Sequence, residues 1–310
     1  MRNRSGFVLI IVLMSVVILT GLLTLFISEV YLDTGSNRQA LDAAQGSLLA
    51  ASGAIGAQQL LQLNLNNQSY TSLQDVWTKP LILDEEQGQL RISIEEENGK
   101  INLNAIALPN GQYNEVYRDI AVRLFKLLKL PLDPTDAIAD WIDEDNSPHP
   151  DGAEADWYRA QKQPVRPHNK PLTTLEEIKR IKGVAEVFDK IRPFVTVYGD
   201  MPAGAPAAPI NINTAPTEVL SCLPGVDERI AQAIVSYRQS SGFFPNIAWL
   251  LKVPGLGRDV FRQLCPKVTA RSETFRILSE GKAGGARQRL LAIVRVGTSE
   301  VTTVSYREDF

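Results

Sequence analysis

The sequence contains few of the residues that build catalytic and covalent sites. Its 310 residues include two histidines, two cysteines and three methionines. No nucleophile elbow, phosphate-binding loop, zinc-protease helix or dinucleotide fingerprint occurs in it. These absences exclude the motif-bearing hydrolases, nucleotide-dependent enzymes and dehydrogenases, and we predict that the protein is not an enzyme.

Positive charge is not in excess either. The chain has 32 lysines and arginines against 35 aspartates and glutamates, and its formal net charge is -3. Domains that bind nucleic acids gather basic residues on one face, and this composition offers no such footprint. We therefore expect no nucleic-acid partner.

The two cysteines, Cys222 and Cys265, do not form a CxxC pair. An even number of cysteines is compatible with a single disulfide if the chain faces an oxidising compartment. Two unpaired thiols are equally compatible with the sequence.

The N-terminal region lacks both charge and proline. No charged residue occurs from Phe7 to Ile27, and the first proline is Pro80. A helix of this apolar length spans the hydrocarbon core of a bilayer. Arg2 and Arg4 precede it, which predicts a cytoplasmic N-terminus with the bulk of the chain on the other side.

Three interpretations of this segment are open. A secretory signal peptide usually has a shorter apolar region and a small-x-small cleavage site, which is missing here. A plain signal anchor is the second interpretation. In the third, the helix continues beyond the membrane, because apolar residues recur at helical spacing as far as Leu61. We predict one helix from Phe7 to about Leu63.

Arg4, Gly6, Phe7 and the apolar helix after them resemble the type IV pilin and type II secretion pseudopilin family. The resemblance implies that a prepilin peptidase cuts between Gly6 and Phe7 and that Phe7 is then N-methylated. It also implies a single-pass protein of the inner membrane whose C-terminal domain lies in the periplasm.

One position departs from that family. Most members carry a glutamate at the fifth residue after the cut, where this chain has Ile11. A carboxylate in lipid must be paired, and in the family it is thought to neutralise the N-terminal amine of an adjacent subunit. A subunit without it can still occupy the filament tip, where no such partner is required.

The remaining chain predicts an α+β fold. Alternating residues around an Asn-Gly turn in residues 81–104 predict a β-hairpin, and the C-terminus reads as three further strands. We expect a pilin-like long N-terminal helix packed on a small antiparallel sheet, with a large inserted helical domain. The expected boundaries are a leader at 1–6, a transmembrane half-helix at 7–27, a pilin-like domain at 28–106 and 271–310, and an insert at 107–270.

The insert contains an internal repeat. The segment "INLNA" at 101–105 is echoed by "ININTA" at 210–215, and "LTTLEEIKRIKGV" at 172–184 aligns with 244–256. The second unit is similar to a helix-hairpin-helix pair with turns at Pro224-Gly225 and Pro254-Gly255. A membrane-anchored DNA-binding module is therefore an alternative function, although acidic residues follow the first turn.

An acidic loop distinguishes the first repeat from the second. Residues 140–156 hold seven carboxylates and neither lysine nor arginine. Such a loop is either solvated or neutralised by a cation such as calcium, which takes six to eight oxygen ligands. We interpret the histidines, His149 and His168, as unpartnered polar surface, and Trp141 and Trp157 as packing the loop onto the helices.

The segment "DAIADWIDEDNSPHPDGAEADWY" resembles the signature of the K-type minor pseudopilins of type II secretion. The resemblance implies a subunit at the pseudopilus tip that helps nucleate or cap the filament with I- and J-type minor pseudopilins. A minor pilin of a type IV pilus is a close alternative. The resemblance also implies bound calcium, and the candidate ligands are Asp143, Asp145, Asp151, Glu154 and Asp156.

Overall fold

The computed structural model describes residues 5–86, 88–162, 164–199, 209–297 and 301–309. Helix α1 (Ser5–Asn66) is 62 residues long, or about 90 Å at the usual rise. It confirms the prediction of one helix reaching Leu63. Arg2 and Arg4, on which the predicted orientation rests, lie outside the described residues.

Helix α1 has two halves with different surroundings. Its first half is exposed and apolar, and within the described chain it is the one segment long and apolar enough to cross a membrane. The second half buries small residues such as Ala50, Ala54 and Ala57 against a sheet. A Cβ at Gly281 would overlap the carbonyl oxygen of Gly46 in α1, so the two backbones approach closely.

The sheet has five antiparallel strands in the order β1-β2-β7-β8-β9. Their bounds are β1 (Leu81–Glu85), β2 (Gly88–Glu96), β7 (Thr274–Ala283), β8 (Ala286–Val296) and β9 (Val301–Asp309). The last three strands confirm the prediction for the C-terminus. The sheet and α1 together form the expected pilin-like α+β unit.

The predicted β-hairpin around "ENGK" is wrong. Strand β2 pairs with β1 and β7, while β3 (Ile101–Asn102) leaves the sheet and pairs in parallel with β4 (Val195–Thr196). Contacts distant in sequence explain the difference. The Asn98 side chain accepts the backbone N–H groups of Glu273 and Thr274, which directs the chain away from the sheet.

The inserted unit has its own core, which begins at Ile101. Residues 101–106, expected in the pilin-like domain, therefore pack with the insert, and the change of core lies closer to residue 100 than to 107. The first repeat contains α2 (Glu115–Leu127), α3 (Asp133–Ile142), α4 (Ala155–Arg159) and α5 (Phe188–Ile191). The second contains α6 (Thr217–Ser221), α7 (Glu228–Ser241) and α8 (Arg258–Leu264).

The structure bears out the internal repeat at the level of single hydrogen bonds. In the first unit the Asn104 side chain exchanges hydrogen bonds with the backbone of Leu172. In the second the Asn213 side chain does the same with Phe244. Each unit is closed by a two-residue parallel pair, β3 with β4 and β5 (Ile210–Asn211) with β6 (Val268–Thr269).

The cysteines do not form the disulfide that the sequence allowed. Both are free, with Cys222 buried at the end of α6 and Cys265 exposed after α8. The Cys222 thiol donates to the Glu218 carbonyl at 3.1 Å. Burial raises the pKa of this thiol to about 12, so it behaves as a small apolar side chain.

Candidate functional site

The acidic loop lies between α3 and α4 in the first repeat. Helix α3 ends at Ile142, and Asp143 follows with extended backbone angles. Asp140 and Asp143 are three residues apart at the end of this helix, so they share one face. Both side chains are fully buried, which is unusual for carboxylates.

The loop gathers carboxylates into one cluster. Asp143, Asp145 and Glu154 each offer an oxygen within 4.8 Å of those of the others. A second group, Asp140, Asp143 and His149, meets the same limit and shares Asp143 with the first. We call these five residues the acidic cluster.

Two members of the acidic cluster have unsatisfied oxygens. Neither oxygen of Asp143 and neither oxygen of Glu154 has a hydrogen-bond partner in the described part of the chain. Buried carboxylates without donors are costly unless a cation or a proton neutralises them. These oxygens are therefore neutralised either by a proton or by a cation from solution, because no hydrogen-bond donor of the described residues reaches them.

The pKa values of Asp143 and Glu154 reflect the same lack of stabilising partners. Desolvation, followed by repulsion from nearby carboxylates, raises the pKa of Asp143 to about 7. Desolvation and the charge of Asp140 raise the pKa of Glu154 to about 7. The neighbouring Ala155 N–H opposes the rise for Glu154, although it does not reach hydrogen-bond geometry.

Two glycines leave room for these carboxylates. A Cβ at Gly152 would overlap the Asp140 carboxylate, and a Cβ at Gly111 would overlap that of Asp145. Gly111 also has a positive φ of 79°, which favours glycine. The backbone is thus built to admit acidic groups at close range.

Contacts from other elements hold the loop in place. The Asn169 side chain donates to the Asp145 carbonyl at 2.5 Å. The Lys182 ammonium donates to the carbonyls of Asp151 and Gly152, both at 3.0 Å. The cluster is therefore positioned by the fold and not only by its own chain segment.

Of the two tryptophans, Trp141 packs as predicted and Trp157 does not. Trp141 is buried and donates its indole N–H to Glu177 at 3.0 Å. Trp157 is 38% exposed and lies edge-on against Tyr158. Trp141 therefore anchors the loop through Glu177 and the ring of Tyr158, whereas Trp157 contacts its neighbour in the same helix.

The structure brings together three of the five predicted ligands, namely Asp143, Asp145 and Glu154. The side chains of Asp151 and Asp156 lie outside the cluster, because Asp151 turns to solvent and Asp156 is 91% exposed and pairs with Arg159. Sequence reasoning missed Asp140 and His149 as members. The three-residue spacing of Asp140 and Asp143 on one helix was the available signal.

The interpretation of the histidines as unpartnered is wrong, although His168 does lie at the surface, with its side chain 58% exposed. His149 packs its ring 4.1 Å from that of Tyr113, centroid to centroid, and its Nδ1 contacts Asp140. His168 lies 3.3 Å from a carboxylate oxygen of Glu177. Each histidine therefore has an acidic partner.

Gly6 and Phe7, between which the sequence predicts cleavage, lie in the first turn of α1, and Phe7 is 68% exposed. The hairpin glycines, Gly225 and Gly255, have positive φ angles of 73° and 86°. Arg262 near the second hairpin is paired with Asp259.

Comparison with known proteins gives consistent similarities. A family model described as "Type II secretion system (T2SS), protein K" matches residues 99–200, and one described as "Helix-hairpin-helix motif" matches residues 206–269. The type II secretion system protein K of Pseudomonas aeruginosa is 25% identical over 324 residues, covering 99% of this chain and 93% of the relative. ComE operon protein 1 of Bacillus subtilis is 37% identical over 68 residues, covering 22% of this chain and 33% of the relative.

A solved structure shares the fold. It is the GspK-GspI-GspJ complex from the type 2 secretion system of enterotoxigenic Escherichia coli, matched with a TM-score of 0.72 and 20% sequence identity. The match covers 90% of this chain and 99% of that chain. The pilin-like unit and the insert therefore both belong to an architecture already seen in crystals.

The raised pKa values predict how stability depends on pH when cations are chelated. The pKa of Asp143 is about 7 in the folded chain against 3.8 for an ordinary aspartate. The folded state then holds its proton longer than the unfolded state, so stability falls as the pH rises from about 4 through about 7. In Asp143→Asn the fall is smaller and the melting temperature at pH 8 is higher, measured by circular dichroism in chelator. Asp156→Asn, at an exposed position, leaves the profile unchanged, and an unchanged profile in Asp143→Asn contradicts the interpretation.

Proposed function

Because this chain belongs to the type II secretion system protein K family and is a minor pseudopilin, we propose that it occupies the tip of the pseudopilus. There it would help nucleate or cap the filament during export across the outer membrane. The observation that carries the proposal is the position of the insert. It contacts the chain where α1 ends, at the end farthest from the apolar half, through Thr71 and Ala270 and through the stacked rings of Tyr70 and Phe243.

An insert in that position would block the addition of a further subunit to the filament above this one. The next subunit of a filament would have to pack where the insert already lies, because the insert is joined at the membrane-distal end of α1. Ile11 supports the same location, since no carboxylate stands there to pair with a neighbouring N-terminus. A structural role, with no catalytic step, is part of the proposal.

The partners are proposed to be other minor pseudopilins of the I and J types, as in the complex named above. The sheet covers one face of α1 and leaves another exposed. Leu41, Leu48 and Ile55 lie seven residues apart on that exposed face and are 60–70% exposed. Apolar residues at this spacing pack well against a second helix.

The partner surface can be tested by charge insertion. Leu48→Asp combined with Ile55→Asp would place two carboxylates in a helix interface, so co-purification with the I- and J-type pseudopilins is expected to be lost. Leu251→Asp, an equally drastic change at an exposed apolar position of the insert, should retain it. Retention in the double variant, with the chain still folded, would count against this surface.

The membrane anchor is proposed to be processed before assembly. A prepilin peptidase would cut between Gly6 and Phe7, leaving α1 as a single span of the inner membrane with the folded domain in the periplasm. Mass analysis of the chain expressed with and without the peptidase tests this. A mature protein beginning at methylated Phe7 is expected, and an intact N-terminus in the presence of the peptidase would refute the proposal.

Calcium is the proposed cofactor of the acidic cluster. Asp143, Asp145 and Glu154 would hold it, because their oxygens converge and those of Asp143 and Glu154 have no protein donors. Oxygen ligands suit calcium, and the ion would neutralise the repulsion between these carboxylates. The result would be a rigid loop between α3 and α4.

We expect calcium to raise the thermal stability of the full chain in detergent. Glu154→Gln removes a ligand, so the calcium-induced rise in melting temperature should be lost. Asp151→Asn, whose side chain lies outside the cluster, should keep it. Calorimetry that shows no calcium binding to the unmodified chain would refute the proposal.

DNA binding by the helix-hairpin-helix unit is the alternative function. The matched motif and the two glycine turns favour it, while the paired charges around the second hairpin do not. Salt-sensitive retention of duplex DNA by the full chain would support this alternative.

A further inference from the structure

We propose that a groove between α4 and the loop at residues 164–173 binds an extended acidic segment of a partner protein, through Arg166, Lys170 and a neighbouring apolar wall. We call it the basic groove. It lies outside the acidic cluster, because none of the five cluster residues lines it. The proposal rests neither on the calcium site nor on the exposed face of α1.

The loop that forms the basic groove is locally cationic in an acidic chain. From Trp157 to Leu175 there is no aspartate or glutamate, although the whole chain has a net charge of -3. The same stretch contains four cations and one histidine, namely Arg159, Lys162, Arg166, Lys170 and His168. A local concentration of one sign of charge attracts partners of the opposite sign.

Two adjoining clefts make up the basic groove. The first has a volume of about 750 Å³ and is lined mainly by polar and basic residues. The second has a volume of about 440 Å³, and Pro164 and Val165 give it an apolar wall. Ala155, Arg166 and Pro167 line both clefts, so the two are continuous.

The cations of the basic groove are available to a partner. Arg166 and Lys170 are exposed, and neither has an ion-pair partner among the described residues. Arg159 pairs with Asp156, but the two side chains are 71% and 91% exposed. Such an exposed pair contributes little stability, so Arg159 can exchange its partner.

The basic groove is formed before a partner arrives. Pro167 is buried, and Val165 packs against the core of the insert. Asn169 has a positive φ of 46° and donates to the Asp145 carbonyl at 2.5 Å. Because these contacts already order the loop, binding would cost little conformational entropy.

The nearby carboxylates do not neutralise the basic groove. The Asp145 carboxylate points towards Gly111, since a Cβ added at Gly111 would overlap it, and only the Asp145 carbonyl meets the loop. The Glu177 carboxylate already accepts from the Trp141 indole and from the Thr173 backbone N–H. The positive charge of the groove is therefore left for a ligand.

The distribution of charge favours an extended peptide over a small anion. Lys170 lines only the first cleft, Arg159 only the second, and Arg166 both. A small anion needs donors that converge on one point, whereas these cations are spread along a groove with an apolar section.

The prolines of the basic groove define how the peptide is recognised. Proline has no backbone N–H, so this loop cannot pair with a partner as a β-strand would. Recognition must come from side chains. Carboxylates of the partner would meet Arg166 and Lys170, and an apolar side chain would pack beside Val165.

The test uses the full chain in a non-ionic detergent and a peptide of alternating aspartate and leucine that carries a neutral fluorescent label. Fluorescence anisotropy should show saturable binding that weakens as sodium chloride is raised, because salt screens exposed charges. A peptide with asparagine in place of aspartate, or with serine in place of leucine, should bind at least about tenfold more weakly.

Charge reversal locates the binding site. Arg166→Glu combined with Lys170→Glu should remove detectable binding, because two attractions become repulsions. Lys190→Glu combined with Arg258→Glu makes the same change of net charge at exposed positions of the insert outside the groove, and should retain binding.

Circular dichroism melting establishes that each variant is folded. If the glutamate pair is destabilised, Arg166→Gln combined with Lys170→Gln takes its place, and its affinity is expected to fall at least about tenfold.

Three results would overturn the proposal. They are no peptide binding to the unmodified chain, equal affinity in the groove variant, and an equal loss of affinity in the control pair. Inorganic phosphate at matched ionic strength should leave the peptide bound. Its displacement by phosphate would identify a site for small anions and so would also contradict the proposal.

Discussion

The close approach of α1 to the sheet is the constraint on which the rest of the structure depends. Alanines and glycines on one face of the helix bring its backbone against β7, where Gly281 meets Gly46. This contact commits one face of α1 to the sheet and leaves the opposite face exposed. It also fixes the sheet at the membrane-distal half of the helix, so everything attached to the sheet is carried away from the bilayer.

The insert shows how one scaffold can be used twice. Asn104 and Asn213 play equivalent parts in the two units, since each bonds to the backbone of a segment that enters a short 3-10 helix. The scaffold contacts are therefore duplicated. The loop after α3 in the first unit, however, is longer and more acidic than the loop after α7 in the second. The acidic cluster exists because the first unit adds a loop without altering the repeated framework beneath it.

Local patterns in the sequence predicted much of this fold. The continuous helix, the three C-terminal strands and the repeat follow from periodicity and from residues that act on their near neighbours. The prediction of a hairpin failed because the path of the chain at Asn98 depends on hydrogen bonds from the backbone of Glu273 and Thr274. The periodicity of the local sequence does not reveal such distant donors. In the cluster, Asp143, Asp145 and Glu154 could be selected by composition. Asp140 could have been added from its three-residue spacing with Asp143, whereas His149 could not, because its membership depends on the path of the loop back towards α3.

The junction between sheet and insert explains how so large a head is carried on one helix. Asn98 binds the strand that returns from the insert, and its own carbonyl accepts the N–H of Asn211 at the start of the second repeat. Ser272 receives the Asn211 side-chain N–H at 2.6 Å and donates to the buried Glu96 at 2.5 Å. Because Asn211, Ser272 and Glu96 are buried, breaking a hydrogen bond between them leaves an unsatisfied polar atom, so the junction resists bending. A head attached in this way is joined to α1 by buried hydrogen bonds as well as by the chain itself, so the insert and the helix are held as one unit.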